Sequence, residues 1–166
     1  MYKRQQDDYD LTWDYKSLRN SKSIEYENRY SRLTYEYETD KVDKLGQSGD
    51  DEETISDLNW FSYRQHFFSA IFLSPKPLNN VKLSQINMVI DQDVDTTYTK
   101  NYIANFPLKY NNNEFDEKFN LYFGPTDSKI LSSYDKNIES SIPFGWGIFG
   151  YILSLIHISE PTRLLA

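Results

Sequence analysis

No cysteine occurs in the chain. Disulfides, cysteine-ligated zinc and thiol catalysis are thereby excluded. The compartment stays open, because reduced cytosolic proteins and cysteine-free exported domains read alike. Positive charge is in deficit: 18 Lys and Arg face 25 Asp and Glu, for a net charge of −7. Nucleic acid is therefore disfavoured as a partner, since phosphate binding needs a basic face. Histidine is scarce, with two residues, and no glycine-rich run precedes a lysine, so a phosphate-binding loop is missing. The start, MYKRQQDDYD, has basic residues but no apolar core behind them, which argues against an N-terminal signal peptide. Internal repeats and low-complexity tracts are also missing.

Long uncharged runs are confined to the tail, from Ile142 to Ile158. Both ends of the chain read as foreign. LSLIHISEPTR, residues 153–163, is the translation of a common transposon-based sequencing adapter. The reverse complement of the same DNA element, started at GTG, reads Met-Tyr-Lys-Arg-Gln, which is residues 1–5. Residues 1–5 and 153–166 are therefore set aside as adapter-derived, the last three as read-through of an index. The piece left is roughly Gln6 to Ile152. What remains of the uncharged run, SIPFGWGIFGYI, is too short to span a bilayer, which takes about 20 apolar residues.

What the chain has in quantity is aromatic residues: 16%, with 14 Tyr and 10 Phe. That load is too high for a disordered chain and suits strands. RLTYEYE alternates, with Leu33, Tyr35 and Tyr37 on one face and Thr34, Glu36 and Glu38 on the other, a period-two, half-buried strand. TKNYIANFPLKY does the same with Tyr102, Ala104, Phe106, Leu108 and Tyr110. Pro107 cannot donate to a ladder, so this strand is expected at an edge or bulged. VKLSQINMVI alternates at Val81 and Leu83, slips, and resumes at Ile86, Met88 and Ile90, which suggests a β-bulge. KFNLYFG places Phe119, Leu121 and Phe123 in phase. LTWDY and IFLS are two further strands. KLGQSGDDEE, residues 44–53, reads as a solvated acidic loop, SPKPLNN as a turn and NNNE as a hairpin tip. GPTDSKILSSYD reads as a short helix capped by Thr126, with Ile130, Leu131 and Tyr134 at helical spacing. The fold class is mainly β, with one or two short helices near the C-terminus. Trp60, Phe67, Phe68, Phe106, Leu121 and Phe123 are expected in the core.

Candidate chemistry is thin. Asp91, Asp93 and Asp95 begin like a calcium loop, but its sixth and twelfth positions would be Thr96 and Tyr102, where glycine and glutamate are needed. His66 is the one histidine outside the adapter, and no local motif ties a nucleophile or carboxylate to it. No catalytic, cofactor-binding or metal-binding residue is assigned.

The order of the segments is more telling. LTWDYKS, YSRLTYEYE, KVDKL with its acidic loop, LNWFSYRQHFFSAIFLS, FNLYFGPTDSKILSSYD and IPFGWGIFGYI follow one another. The series resembles the exported domain of the YidC/Oxa-type membrane protein insertases of diderm bacteria. The family's aromatic W-x-x-(K/R)-Q-x-F-F segment appears as Trp60, Arg64, Gln65, Phe67 and Phe68, with one extra residue after Trp60. Its Y-x-G-P strand end appears as Tyr122, Gly124 and Pro125, its helical Leu-Tyr pair as Leu131 and Tyr134, and its closing GWG run as Gly145, Trp146 and Gly147. The resemblance implies a partial β-supersandwich of the galactose-mutarotase type over residues 6–140, with 141–152 starting the membrane-proximal segment. It implies a periplasm-facing accessory domain of an inner-membrane insertase, without cofactor or covalent chemistry. The implied partners are the Sec translocon, its accessory subunits and nascent membrane proteins. The groove that receives substrate segments would lie past Ile152, so none of its residues is carried over. A non-enzymatic carbohydrate-binding or mutarotase-like sandwich is the alternative reading, since aromatic residues stack on sugars.

Overall fold

The structure is a computed structural model that describes residues 9–108, 118–134 and 136–142. Tyr110, the 111–114 hairpin tip, Gly145, Trp146, Gly147 and the ends expected to be adapter-derived, residues 1–5 and 153–166, lie outside the described residues. Residues up to Thr126 form one compact unit and those from Asp127 a second.

The first unit contains, among the described residues, nine strands and a helix: β1 (Tyr9–Leu18), α1 (Ile24–Tyr30), β2 (Arg32–Tyr37), β3 (Lys41–Lys44), β4 (Asp51–Ile55), β5 (Leu58–Arg64), β6 (Phe68–Leu78), β7 (Val81–Asn87), β8 (Tyr98–Leu108) and β9 (Asn120–Pro125). They make two antiparallel sheets, β1-β8-β7-β4 and β3-β2-β5-β6-β9. The mainly-β sandwich read from the sequence is therefore the observed architecture.

Register explains the core. In the five-stranded sheet, Leu33, Tyr63 and Ala70 lie in one cross-strand row and Tyr35, Phe61 and Phe72 in the next. In the other sheet, Trp13, Ala104 and Leu83 form a row. These two faces meet and interdigitate. Phe61 stacks on Phe72 at 5.0 Å between ring centroids, Tyr63 on Tyr102 at 5.2 Å, and Phe72 meets Phe106 edge-on at 5.1 Å. Each fully buried large apolar side chain contributes about 1.5–3 kcal/mol of transfer energy. Such offset and edge-to-face pairs add to that.

Several sequence expectations change here. The slip in VKLSQINMVI is not a bulge: β7 pairs with β8 in continuous register from Lys82 to Asn87. Gln85 holds the inward phase instead, buried, with its Nε2 donating to Gly46 O and Gly49 O at 3.2 and 3.0 Å. Ile86 is exposed as a result, and Ile90, beyond the end of the strand, is exposed too. Second, β8 is a central strand. Pro107 is tolerated because pairing with β7 stops at Asn105, leaving only the β1 side engaged there. Third, the acidic 44–53 segment is shorter as a loop: Asp51, Glu52 and Glu53 form the edge strand β4, whose charges blunt an unpaired ladder. Likewise SPKPL belongs to β6, and the turn is Asn79-Asn80, with Asn80 at a φ of 57°.

The fourth change concerns burial. Trp60 and Phe106 are buried as expected, but Phe67, Phe68, Leu121 and Phe123 are exposed. Leu121 and Phe123 do lie on the inward face, opposite Phe72 and Ala70. Strand β9 is an edge strand, however, and among the described residues the ring that meets Phe123 is Trp13, edge-on at 5.9 Å. The buried residue of β9 is Tyr122, on the opposite face.

Tyr122 also explains its motif. Its hydroxyl donates to Pro125 O at 2.8 Å, so the ring folds back over Gly124. A Cβ at position 124 would sit 2.7 Å from that hydroxyl. Gly124→Ala is therefore expected to destabilise by about 1–3 kcal/mol, the usual cost of overpacking. Denaturant melts of the single variant, of Tyr122→Ala and of the double variant check this. Simple additivity of the two losses would show that no clash exists.

In the second unit, α2 (Ser128–Ser132) begins at Asp127, one residue later than the expected Thr126 cap. The Asp127 carboxylate accepts from Lys129 N and Ile130 N. Leu131 is buried and Tyr134 is half exposed. A 3-10 turn follows at Ile138–Ser141.

Candidate functional site: an aromatic cleft at the tip of the β5–β6 hairpin

The Trp60–Phe68 motif is a hairpin. Gln65 N donates to Phe68 O at 2.8 Å, closing a tight connection through His66 and Phe67. Most of the motif supports the structure. Trp60 is buried and its Nε1 donates to Glu36 Oε2 at 2.9 Å. Gln65 is buried and its Nε2 donates to Ser17 Oγ at 3.0 Å, tying the hairpin to β1. Arg64 lies opposite Arg32 on β2 and opposite Ser69 on β6, which in turn faces Gly124 on β9. Burial, with Arg32 beside it, brings the Arg64 guanidinium down to about 10. Trp60, Arg64, Tyr122 and Gly124 thus share one face of the five-stranded sheet. Pro125 is exposed at its end.

Phe67 does not support the structure in that way. It stands 69% exposed at the hairpin tip. Beside it is a cleft of about 370 Å³. Asn20 and Ser21 form one side. The other side is Tyr26, Glu27 and Tyr30 of α1, together with His66 and Phe67. Ser23 caps α1, its Oγ accepting from Tyr26 N at 3.3 Å. Tyr26 and Tyr30, four residues apart, then share one helix face. Their rings lie 4.6 Å apart. Both pack on His66, at 5.3 and 4.6 Å, and the Phe67 ring meets His66 edge-on at 3.8 Å.

His66 is held as an aromatic wall. Its Nε2 lies 3.4 Å from Tyr26 Oη. Its pKa is lowered, first by desolvation and then by Arg64, against an opposing pull from Glu27. The imidazole is therefore neutral at pH 7.

A second polar feature lies at this end of the sandwich. Lys100 continues the inward row of β8, fully buried, and its Nζ donates to Ser31 O at 3.0 Å and Gln47 O at 2.7 Å. Burial, reinforced by Arg32 and Arg64, brings its pKa down to about 8.

The acidic triplet holds no assembled metal centre. Asp95 Oδ2 accepts from Ile90 N and Asp91 N at 2.8 and 2.9 Å, and Asp91 Oδ1 accepts from Asp93 N at 2.9 Å. Those backbone donors lower the Asp95 pKa. Arg19 Nη1 closes the loop on the Gln92 and Asp95 carbonyls. The carboxylates serve as turn caps. Among the described residues no cluster of three or more His, Asp or Glu is placed to hold a metal.

The sequence reading missed α1 and hence half of the cleft. Its signal was present in SIEYENRY: a capping serine followed by two tyrosines four residues apart.

Fold and cleft together define a β-sandwich domain with an aromatic-lined cleft at the tip of the β5–β6 hairpin. Comparison with known sequences narrows this. Residues 4–155 match the family model of the YidC periplasmic domain. A membrane protein insertase YidC from Azobacteroides pseudotrichonymphae is 32% identical over 84% of this chain and 24% of its own length. That of Porphyromonas gingivalis is 31% identical over 93% of this chain and 26% of its own. That of Bacteroides fragilis is 28% identical over 90% and 25%. The chain belongs to the YidC membrane protein insertase family, and the matched segment is the periplasmic domain of an inner-membrane protein. It spans about a quarter of the length of these relatives. Among the described residues no helix is long and apolar enough to cross a membrane.

Proposed function

We propose that this segment is the accessory domain of an insertase that inserts inner-membrane proteins and helps them fold, alone or beside the Sec translocon. The match over residues 4–155 carries the reading. Residues 6–140 are then part of the periplasmic sandwich, and 141–152 lead toward the membrane-embedded part. The domain acts by docking. Its substrates and partners are nascent membrane proteins and the translocon with its accessory subunits, and no bond is made or broken. The exposed Phe67 and the cleft beside it supply the contact surface, since an exposed aromatic flanked by polar rims is what a docking site requires.

The test is a chimera. Residues 9–142 replace the corresponding segment of the Azobacteroides pseudotrichonymphae insertase, and the protein is expressed in insertase-depleted cells. Membrane insertion of a reporter, read by protease protection, is expected to be restored. Phe67→Ser is expected to lower the translocon recovered with the chimera at least several-fold, without changing the thermal midpoint. Failure of the chimera to insert, when a chimera carrying the Porphyromonas gingivalis segment succeeds, would falsify the insertase reading.

A further inference from the structure

The cleft contains an incompletely satisfied carboxylate. Glu27 is only 3% exposed, yet it lines the cleft. Its Oε1 accepts from Asn20 N at 2.8 Å. Its Oε2 has no hydrogen-bond or ion-pair partner among the described residues. Oε2 is not among the sealed polar atoms and so faces the open cleft, where a cation can reach it. The cations of the neighbourhood are committed elsewhere or stand off the wall. Arg19 spends its guanidinium on the carbonyls of Ser21, Lys22, Gln92 and Asp95. Lys100 is held by Ser31 O and Gln47 O. Arg64 is buried and is not among the lining residues.

Four rings line the cleft along with this carboxylate. Aromatic faces attract cations, more strongly when water is excluded. A neutral imidazole joins the aromatic wall without competing as a charge. We propose that the cleft binds a cationic side chain, arginine or lysine, of a partner polypeptide, with Glu27 Oε2 as its anchor and Tyr26, Tyr30, His66 and Phe67 as its walls. A lipid headgroup fits less well. Its ammonium comes with a phosphate, and among the described residues no Lys or Arg lines the cleft to pair it. A peptide carries an apolar neighbour, and Phe67, exposed beside the cleft, offers it a surface. The net charge of −7 favours approach of a basic segment. This pocket deepens the docking role proposed above and rests on it.

The probe is the peptide acetyl-Gly-Leu-Arg-Leu-Gly-amide, with citrulline in place of arginine as its neutral isostere. Each is titrated into the ¹⁵N-labelled chain, and amide shifts are followed. The arginine peptide is expected to shift Asn20, Tyr26, Glu27, Tyr30, His66 and Phe67, and the citrulline peptide to leave them in place. Glu27→Gln keeps a carbonyl for Asn20 N while removing the charge. It is expected to weaken binding ~10–100-fold, the value of a charge-assisted hydrogen bond. Tyr26→Ala, at a half-exposed position, is expected to weaken it several-fold and serves if Glu27→Gln does not fold. Equal binding of both peptides, shifts confined to other residues, or no shifts at millimolar peptide would overturn the proposal. So would cosedimentation with phosphatidylethanolamine vesicles that is lost in Glu27→Gln, without peptide binding; that result assigns the cleft to a lipid headgroup. Peptide binding is read on the chain alone, so its failure is separate from failure of the chimera to insert proteins.

Discussion

Phe72→Ala is expected to destabilise the folded chain by about 3–5 kcal/mol, near the top of the range for a point change. Phe72 is 2% exposed and its ring contacts Phe61, Phe106, Phe119 and Trp13 at centroid distances of 5.0, 5.1, 4.9 and 6.0 Å. It therefore joins both sheets and both edges of the aromatic cluster. Removing it leaves a cavity whose walls are rings from three other strands and the residue before β9, and these cannot all move inward together. Phe123→Ala is the matched control. Phe123 shares the inward face but is 55% exposed, so its loss is expected to cost about 1 kcal/mol or less. Urea melts of the two variants decide between burial and mere phase. A Phe123→Ala loss as large as that of Phe72→Ala would show that β9 is covered in solution.

Raising the pH from 7 to about 9.5 is expected to stabilise the fold through Lys100. In the unfolded chain this lysine titrates near its ordinary 10.5; in the folded chain it titrates near 8, because its ammonium is buried beside Arg32 and Arg64. Between those values the unfolded state holds the proton and the folded state has released it. Stability rises with pH wherever the unfolded state binds more protons. Below about 8 both states carry the charge, and the full cost of burying it is present. The gain by about pH 9.5 is up to ~2 kcal/mol at 1.36 kcal/mol per pKa unit. Above about 10 the sign is contested. Tyr63 and Tyr102 are pushed up by burial, so the unfolded state loses their protons first and stability falls with further rise in pH. The experiment is a series of urea melts at pH 7, 8, 9 and 9.5 on the wild type and on Lys100→Met. A rise in the wild type that is missing from the variant is expected. Parallel curves would assign the rise to another group.

Strand phase was legible from the sequence because a period of two survives whatever covers the sheet. The alternations read at β2 and β8 each place the inward residues on the face where the core lies. The slip at β7 was misread because an apolar pattern cannot recognise Gln85 as inward; its Nε2 donates to two carbonyls of the 46–49 loop, which sequence does not bring near. Strand β4 was hidden by its acidity, which suits an edge strand and a loop alike. The family segment around Trp60 and Gln65 was legible as a motif, but its roles were not. Trp60 depends on Glu36, and Gln65 on Ser17, each from another strand.

The cleft shows most plainly what only tertiary structure decides. Glu27 and His66 are 39 positions apart in the chain. Nothing local marks them as neighbours, and α1 must fold over the hairpin tip before a cleft exists. The sequence by itself determined the fold class, the acidic surface, the inward phase of most strands and the family. Tertiary structure decided which inward residues are covered. Burial requires a facing layer as well as a face. Leu121 and Phe123 obey the alternation as well as Phe72 does, but β9 lies at the sheet edge, and both side chains stay more than half exposed there.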